Sequence, residues 1–93
     1  MNKTSKTLFA SGFDHSIYGY VDDAKAGCYR VVYAKHRMVE ELMIRNDMSL
    51  DEATEYLEHN VWNAYVGDGP PVYVDVMPNR REIEDYLLLT DNQ

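Results

Sequence analysis

Three histidines and one cysteine, His15, His36, His59 and Cys28, are the side chains best suited to binding a metal or attacking an electrophile. Such chemistry needs them gathered in convergent positions, and here they are spread over the chain with no repeating spacing. Glu55 and His59 stand four apart and can share one face of a helix. They lack the His-Glu-x-x-His order and the third ligand that a hydrolytic zinc site requires. Cys28 precedes a strand-like run and has no histidine beside it, so it reads as a small buried hydrophobe. The glycines of Gly67-Asp68-Gly69-Pro70-Pro71 do not form a phosphate loop either. They follow a helical pattern and lead into a strand, the reverse of the order that aims a helix N-terminus at an anion. No catalytic constellation emerges, and neither a metal nor a cofactor is called for.

Acidic and aromatic side chains remain. Between Glu40 and Glu58 the chain carries Glu40, Glu41, Asp47, Asp51, Glu52, Glu55 and Glu58 against Arg45, a local balance of −6 in a molecule whose net charge is −7. Asp51, Glu55 and Glu58 step by four and then three, so their carboxylates line one helix face. Such a row is either a solvated face, favoured near a helix N-terminus by the dipole, or a docking surface for a basic partner. Tyr18, Tyr20, Tyr29, Tyr33 and Tyr73 fall on strand-like runs, and tyrosine and tryptophan are frequent anchors of interfaces. Tyr18 and Tyr20 are expected on one strand face, and Tyr29 and Tyr33 on another. Asn60, Trp62 and Asn63 cluster near a helix end, where amides can bond the last turn.

These residues must be positioned by one small domain, because 93 residues that are 45% apolar and 27% charged suffice for a single core. Eight Tyr, two Phe and one Trp speak against disorder. The excess of 16 acidic over 9 basic residues disfavours direct binding to nucleic acid. The N-terminus lacks a signal-peptide apolar run and no stretch is long enough to span a membrane. A single cysteine suits a reducing cytoplasm.

Met1–Thr7 reads as a loose arm, with the domain over 8–93. Ser16–Val21 and Tyr29–Tyr33 are rich in β-branched and aromatic residues and predict two strands joined as a hairpin through residues 22–27. From Lys35 to Asn46 the period becomes helical, with Met38, Val39, Leu42 and Met43 on one stripe. Ser49-Leu50-Asp51-Glu52 has the form of a capping box. It opens a second helix from Leu50 whose stripe of Ala53, Tyr56, Leu57, Val61, Ala64 and Tyr65 runs toward Gly67. Val72–Val76 predicts a third strand, and Asn79 caps a third helix over Arg80–Leu89. The expected fold is α+β in the order β-β-α-α-β-α, a three-stranded, mostly antiparallel sheet covered on one face by a helical hairpin.

The block from Met38-Val39-Glu40 through Met48-Ser49-x-x-Glu52-Ala53 and Asn60-Val61-x-x-Ala64-Tyr65-Val66-Gly67 to Pro71-Val72-Tyr73-Val74 resembles a family of short phage and prophage proteins of uncharacterised activity. The resemblance covers about half of the chain. It implies a small acidic accessory protein of a class whose members often bind and block a host protein, anti-CRISPR and other counter-defence inhibitors among them.

The expected function is therefore an inhibitory or adaptor protein, not an enzyme. Glu41, Asp51, Glu52, Glu55 and Glu58 would steer a basic surface of a host defence or nucleic-acid-handling protein, and Tyr18, Tyr20 or Trp62 would anchor it. Two alternatives stand beside it: a ligand-binding or enzymatic pocket near Trp62, His59 and Tyr73, and a self-assembling module that pairs as a homodimer through the sheet or the last helix.

Overall fold

The computed structural model describes residues 7–64 and 69–91, and its elements follow the order β-β-α-α-β-α. A 3-10 turn at Asp14–Ser16 leads into β1 (Ile17–Asp23), which pairs antiparallel with β2 (Cys28–Ala34). The hairpin is tighter than the sequence suggests, because the turn occupies only Ala24–Gly27. Gly27 adopts a φ of +72°, which a residue without Cβ tolerates, and its N–H donates to the Asp23 carbonyl at 2.9 Å. The Asp23 carboxylate accepts from the Ala26 N–H at 3.0 Å, completing a local Asp turn.

An irregularity in β1 changes which side chains face the core. Ile17 lies opposite Tyr33, whereas Gly19 lies opposite Val32 and Tyr20 opposite Val31, so Tyr18 is an extra residue in a β-bulge. Tyr33 and Val31 are two apart and share a face of β2. The bulge therefore puts both Ile17 and Tyr20 on that face, although simple alternation would separate them.

β2 passes directly into α1 (Lys35–Arg45), and α2 (Leu50–Leu57) follows after a short connection. The capping box forms as its spacing predicts: the Glu52 N–H donates to Ser49 Oγ at 3.1 Å and the Ser49 N–H donates to the Glu52 carboxylate at 2.9 Å. Past Leu57 the backbone widens into one π-helical turn, Glu58–Trp62, and helical structure ends there, five residues short of Gly67. A π turn holds more residues per turn than an α-helix, so the apolar face is rotated and Val61 and Trp62 both pack against the core. Its freed carbonyls are taken up by side chains. Asn60 Nδ2 donates to the Tyr56 carbonyl at 3.0 Å and Asn63 Nδ2 to the Glu58 carbonyl at 2.9 Å.

β3 (Val72–Val74) joins the other edge of β2 in a parallel register, Val32 opposite Val72 and Tyr33 opposite Tyr73. The sheet is thus mixed, one antiparallel and one parallel pairing, where a mostly antiparallel sheet is expected from the sequence. The direction follows from where the chain re-enters. Arg30 Nε donates to the Pro70 carbonyl at 2.9 Å, so β3 starts beside the beginning of β2 and runs with it.

The core lies between one sheet face and the α1–α2 hairpin and consists of Phe13, Val31, Tyr33, Met38, Val39, Leu42, Ala53 and Leu57. Tyr33 is fully buried at its centre. Its hydroxyl accepts the Ala10 N–H at 2.8 Å, and its ring meets Tyr73 at 5.7 Å. Met43, Tyr56 and Ala64, assigned to buried stripes on spacing, are exposed. Tyr65 and Gly67 lie outside the described residues, as does the arm up to Lys6. Thr7 already belongs to the fold, bridged in parallel to Gly69, with its hydroxyl donating to the Tyr29 carbonyl at 2.9 Å.

α3 (Arg80–Asp91) begins at an Asn79 cap whose side-chain oxygen accepts the Glu82 N–H at 2.9 Å. Every residue from Pro78 to Thr90 is exposed, so this helix stands clear of the core. No helix among the described residues is long and apolar enough to cross a membrane.

Candidate functional site

The capping box fixes the N-terminus of α2, and with it the position of each acidic side chain on the helix. Ala53 and Leu57 turn into the core, which places Asp51, Glu55 and Glu58 outward as an exposed crest. A depression lies on each side of this crest. Toward α1, a groove of about 460 Å³ is lined by Val39, Glu40 and Met43 on one wall and by Leu50, Thr54 and Glu58 on the other, with Trp62 at one end. Away from α1, a shallower depression of about 330 Å³ is lined by Met48, Glu52, Glu55, Tyr56, His59 and Asn60. Glu58 thus borders one depression and Glu55 the other.

The five acidic side chains proposed from sequence separate into two sets. Glu52 is held by the capping box, and hydrogen bonding to Ser49, chiefly its backbone N–H and then its hydroxyl, keeps the carboxyl below its ordinary value of 4.5. Glu41 is half-buried and lies 3.4 Å from Arg45, which also donates to the Gly12 carbonyl at 2.7 Å and lies over the Phe13 ring at 5.3 Å. These two carboxylates are engaged in local structure. Among the described residues no ion pair reaches Asp51, Glu55 or Glu58.

The aromatic candidates are dispersed. Trp62 packs between α1 and the exit of β3: its Nε1–H donates to Met38 Sδ at 3.4 Å, and Lys35 Nζ sits 4.9 Å above its ring while lying 4.0 Å from Asp75. Tyr18 and Tyr20 lie on β1 and do not line this groove; they are 58% and 69% exposed, and Tyr20 shares the helix-bearing face of the sheet. Arg37 stacks 6.0 Å from the Tyr18 ring, and Tyr20 meets Tyr29 edge to face at 5.3 Å. Trp62 and Tyr73 do not combine with His59 into one pocket. Trp62 borders the α1–α2 groove, Tyr73 a cleft near Phe9 and Val61, and His59 the depression beyond the crest.

Glu55 and His59 do share a depression, yet among the described residues no group of three His, Cys, Asp or Glu is gathered as a metal site would need. Burial, reinforced for Tyr33 by the charge of Asp14 and opposed by the Ala10 N–H, raises the phenols of Tyr33 and Tyr73 above their ordinary value of 10.0. Neither is thereby readied as a base near neutral pH.

Two features were not singled out by spacing. Leu50 and Met43 are exposed apolar positions in the groove beside the acidic crest, and Ile44 is exposed on α1. Leu50 follows directly after the N-cap, outside the stripe that periodicity finds. The second feature is an apolar groove formed by Phe9, Ile17, Tyr20, Tyr29 and Val31. The sequence signals Tyr20 and Tyr29 as strand aromatics, but not that Phe9, placed before the first strand, joins them.

Comparison with known proteins gives no match. No family model, no curated protein and no solved structure matches the chain. The geometry of the α1–α2 hairpin is therefore what bears on function.

Proposed function

We propose that the protein is a non-enzymatic binding module that occupies a basic surface of another protein through the acidic crest of α2 and the groove beside it. The observation that carries this reading is the crest itself. Asp51, Glu55 and Glu58 stand exposed in a row and outside the ion pairs of the described residues. Unpaired carboxylates on a rigid element raise the rate of encounter with a cationic partner and suppress acidic ones. The apolar side chains of Leu50 and Met43 in the groove beside them supply the desolvated contacts that charge alone does not.

The phage-type resemblance supplies the setting: a host defence or nucleic-acid-handling protein whose basic surface is occluded, as in counter-defence inhibition. The net charge of −7 accords with competition for a surface that otherwise holds phosphates, and disfavours contact with nucleic acid itself. The alternative of a catalytic or ligand pocket at Trp62, His59 and Tyr73 draws no support from their separation into three depressions.

The reading is tested by immobilising the protein, passing over it lysates of bacteria that carry defence systems, and repeating the capture with Glu55→Lys/Glu58→Lys. A stoichiometric partner held by the wild type, released by salt and not held by the variant is the expected result. Equal retention by both proteins removes the acidic crest from the account.

A further inference from the structure

We infer that the groove between α1 and α2 seats an amphipathic basic helix of the partner protein, with apolar side chains on Met43 and Leu50 and an arginine or lysine between Glu40 and Glu58. The inference rests on the binding-module reading above and names the element of the partner that the site fits. It starts from the spacing of the groove's walls. Lys35, Val39 and Met43 recur at four-residue steps along α1, and Leu50, Thr54 and Glu58 do the same along α2 and its π turn. Two such ridges bound a straight furrow, the shape into which another helix lays a ridge of its own. From Leu50 to Glu58 the furrow runs about 12 Å, or about two turns of a guest helix.

The lining changes in character along this length. Because α1 and α2 are joined by the short connection 46–49, Met43 and Leu50 lie at the same end of the groove, and both are exposed. Further along, Glu40 stands on one wall and Glu58 on the other, also exposed. Among the described residues no ion pair reaches either carboxylate. The lysine of the groove is engaged elsewhere, since Lys35 Nζ lies 4.0 Å from Asp75 and 4.9 Å from the centre of the Trp62 ring.

Unpaired carboxylates on facing walls, above an apolar floor, set the chemistry of the guest. An arginine or lysine covers such a floor with its methylene stem and carries its charge to the walls. A wholly apolar guest would strip water from both carboxylates and give them no partner, and the phosphates of lipid or nucleic acid would meet them with like charge. An extended segment fits less well than a helix. The walls are helices and present no strand edge, so its N–H and C=O groups would lie unsatisfied over Val39 and Met43, whereas a helix bonds its own. A second copy of this chain is a poor source of the guest. Its exposed helix α3 carries two arginines against four acids, and Arg80 is already paired with Glu84.

Titration of the isotope-labelled protein with synthetic peptides, followed in its amide NMR spectrum, tests the inference. The probe is an alanine-based helix of about 16 residues with leucines at i and i+3 and arginines at i+4 and i+7, which share one face. One control moves the arginines to the opposite face, and a second keeps the side chains but breaks the helix with a central proline. The salt concentration is about 0.15 M, which screens charges more than about 8 Å away. Saturable shifts are expected at Val39, Met43, Thr54 and the Trp62 indole N–H. Binding should weaken by about fivefold or more in Glu40→Lys and in Met43→Gln/Leu50→Gln, and change by less than about twofold in Glu55→Lys, whose side chain lies outside the groove. The spectrum of each variant checks that it folds. An absence of shifts at millimolar peptide overturns the inference, as do shifts confined to the outer face of α2 at Asp51 and Glu55. Equal binding by the opposite-face peptide also overturns it, because charge alone is then recognised, and equal binding by the proline-broken peptide does so because the guest is then extended. Each of these failures leaves the crest reading standing; that reading fails separately, when the captured partner is held equally by Glu55→Lys/Glu58→Lys.

Discussion

Ser49 and Glu52 show how much one pair of side chains decides. Their reciprocal bonds start α2 at Leu50 and so set the angular position of every acid on the crest. Ser49→Ala is expected to lower stability by about 1 kcal/mol, read by chemical denaturation. The Glu52 carboxyl has its pKa lowered in the folded state, so its contribution is present above the ordinary value of 4.5 and is lost as pH falls through the folded value. Glu52→Gln should remove that acid limb, whereas Ser49→Ala, which keeps the backbone N–H, should only reduce it. The tyrosines act at the other end of the scale. Tyr33 and Tyr73 have folded pKa values raised above 10.0 by burial, so their neutral forms stabilise the fold fully below pH 10, and that stability is lost as pH rises through the folded values. Melting temperature should therefore decline in alkali. In Tyr33→Phe/Tyr73→Phe the slope of that decline should be smaller. An unchanged slope would assign the alkaline loss to other groups.

At the scale of elements, what could be read from the sequence was what neighbouring residues determine. The hairpin, α1, the capping box and the Asn79 cap all rest on side chains within a few positions of each other, and each is found within a residue or two of its predicted place. The amide cluster of Asn60 and Asn63 bonds the last helical turn as its position suggested. Features set by distant contacts were not legible. The parallel direction of β3 depends on Arg30 meeting the Pro70 carbonyl forty residues away. The bulge at Tyr18 and the π turn at Glu58–Trp62 are adjustments of register that let Ile17 and Trp62 reach a core defined by other elements. Periodicity also assigned Tyr56 and Met43 to the interior, because it ranks apolar residues without knowing where the opposite wall stands. The division between packed and unpacked helices has an energetic consequence. Leu57→Ala, in the core, should cost 2–5 kcal/mol. Leu88→Ala, at an exposed position of α3, should change stability by less than about 0.5 kcal/mol, both measured by urea unfolding. A large loss at Leu88 would mean that α3 is packed against apolar surface.

For the whole molecule, the exposed surfaces differ in kind. The acidic crest faces outward from the α1–α2 hairpin, while α3 and the groove at Phe9 and Tyr20 add exposed apolar surface elsewhere. The candidate site was legible in part. The sequence pointed to Asp51, Glu55 and Glu58 as a row, and the fold leaves that row exposed. Glu41, chosen by charge, has a partner in Arg45 that only the folded chain reveals, whereas the capping box that holds Glu52 was legible in its spacing. Tyr18 and Tyr20 were chosen for residue type, and they stand on the sheet away from the crest, Tyr20 at the rim of the apolar groove. The central claim is that the crest carries recognition. The most direct measurement is the affinity of the captured partner for the wild type and for Glu55→Lys/Glu58→Lys across a salt series, with melting curves of both proteins. The account predicts at least tenfold weaker binding by the variant, or about 1.4 kcal/mol, a shallower salt dependence and an unchanged melt. Equal affinity and equal salt dependence in two folded proteins would contradict it.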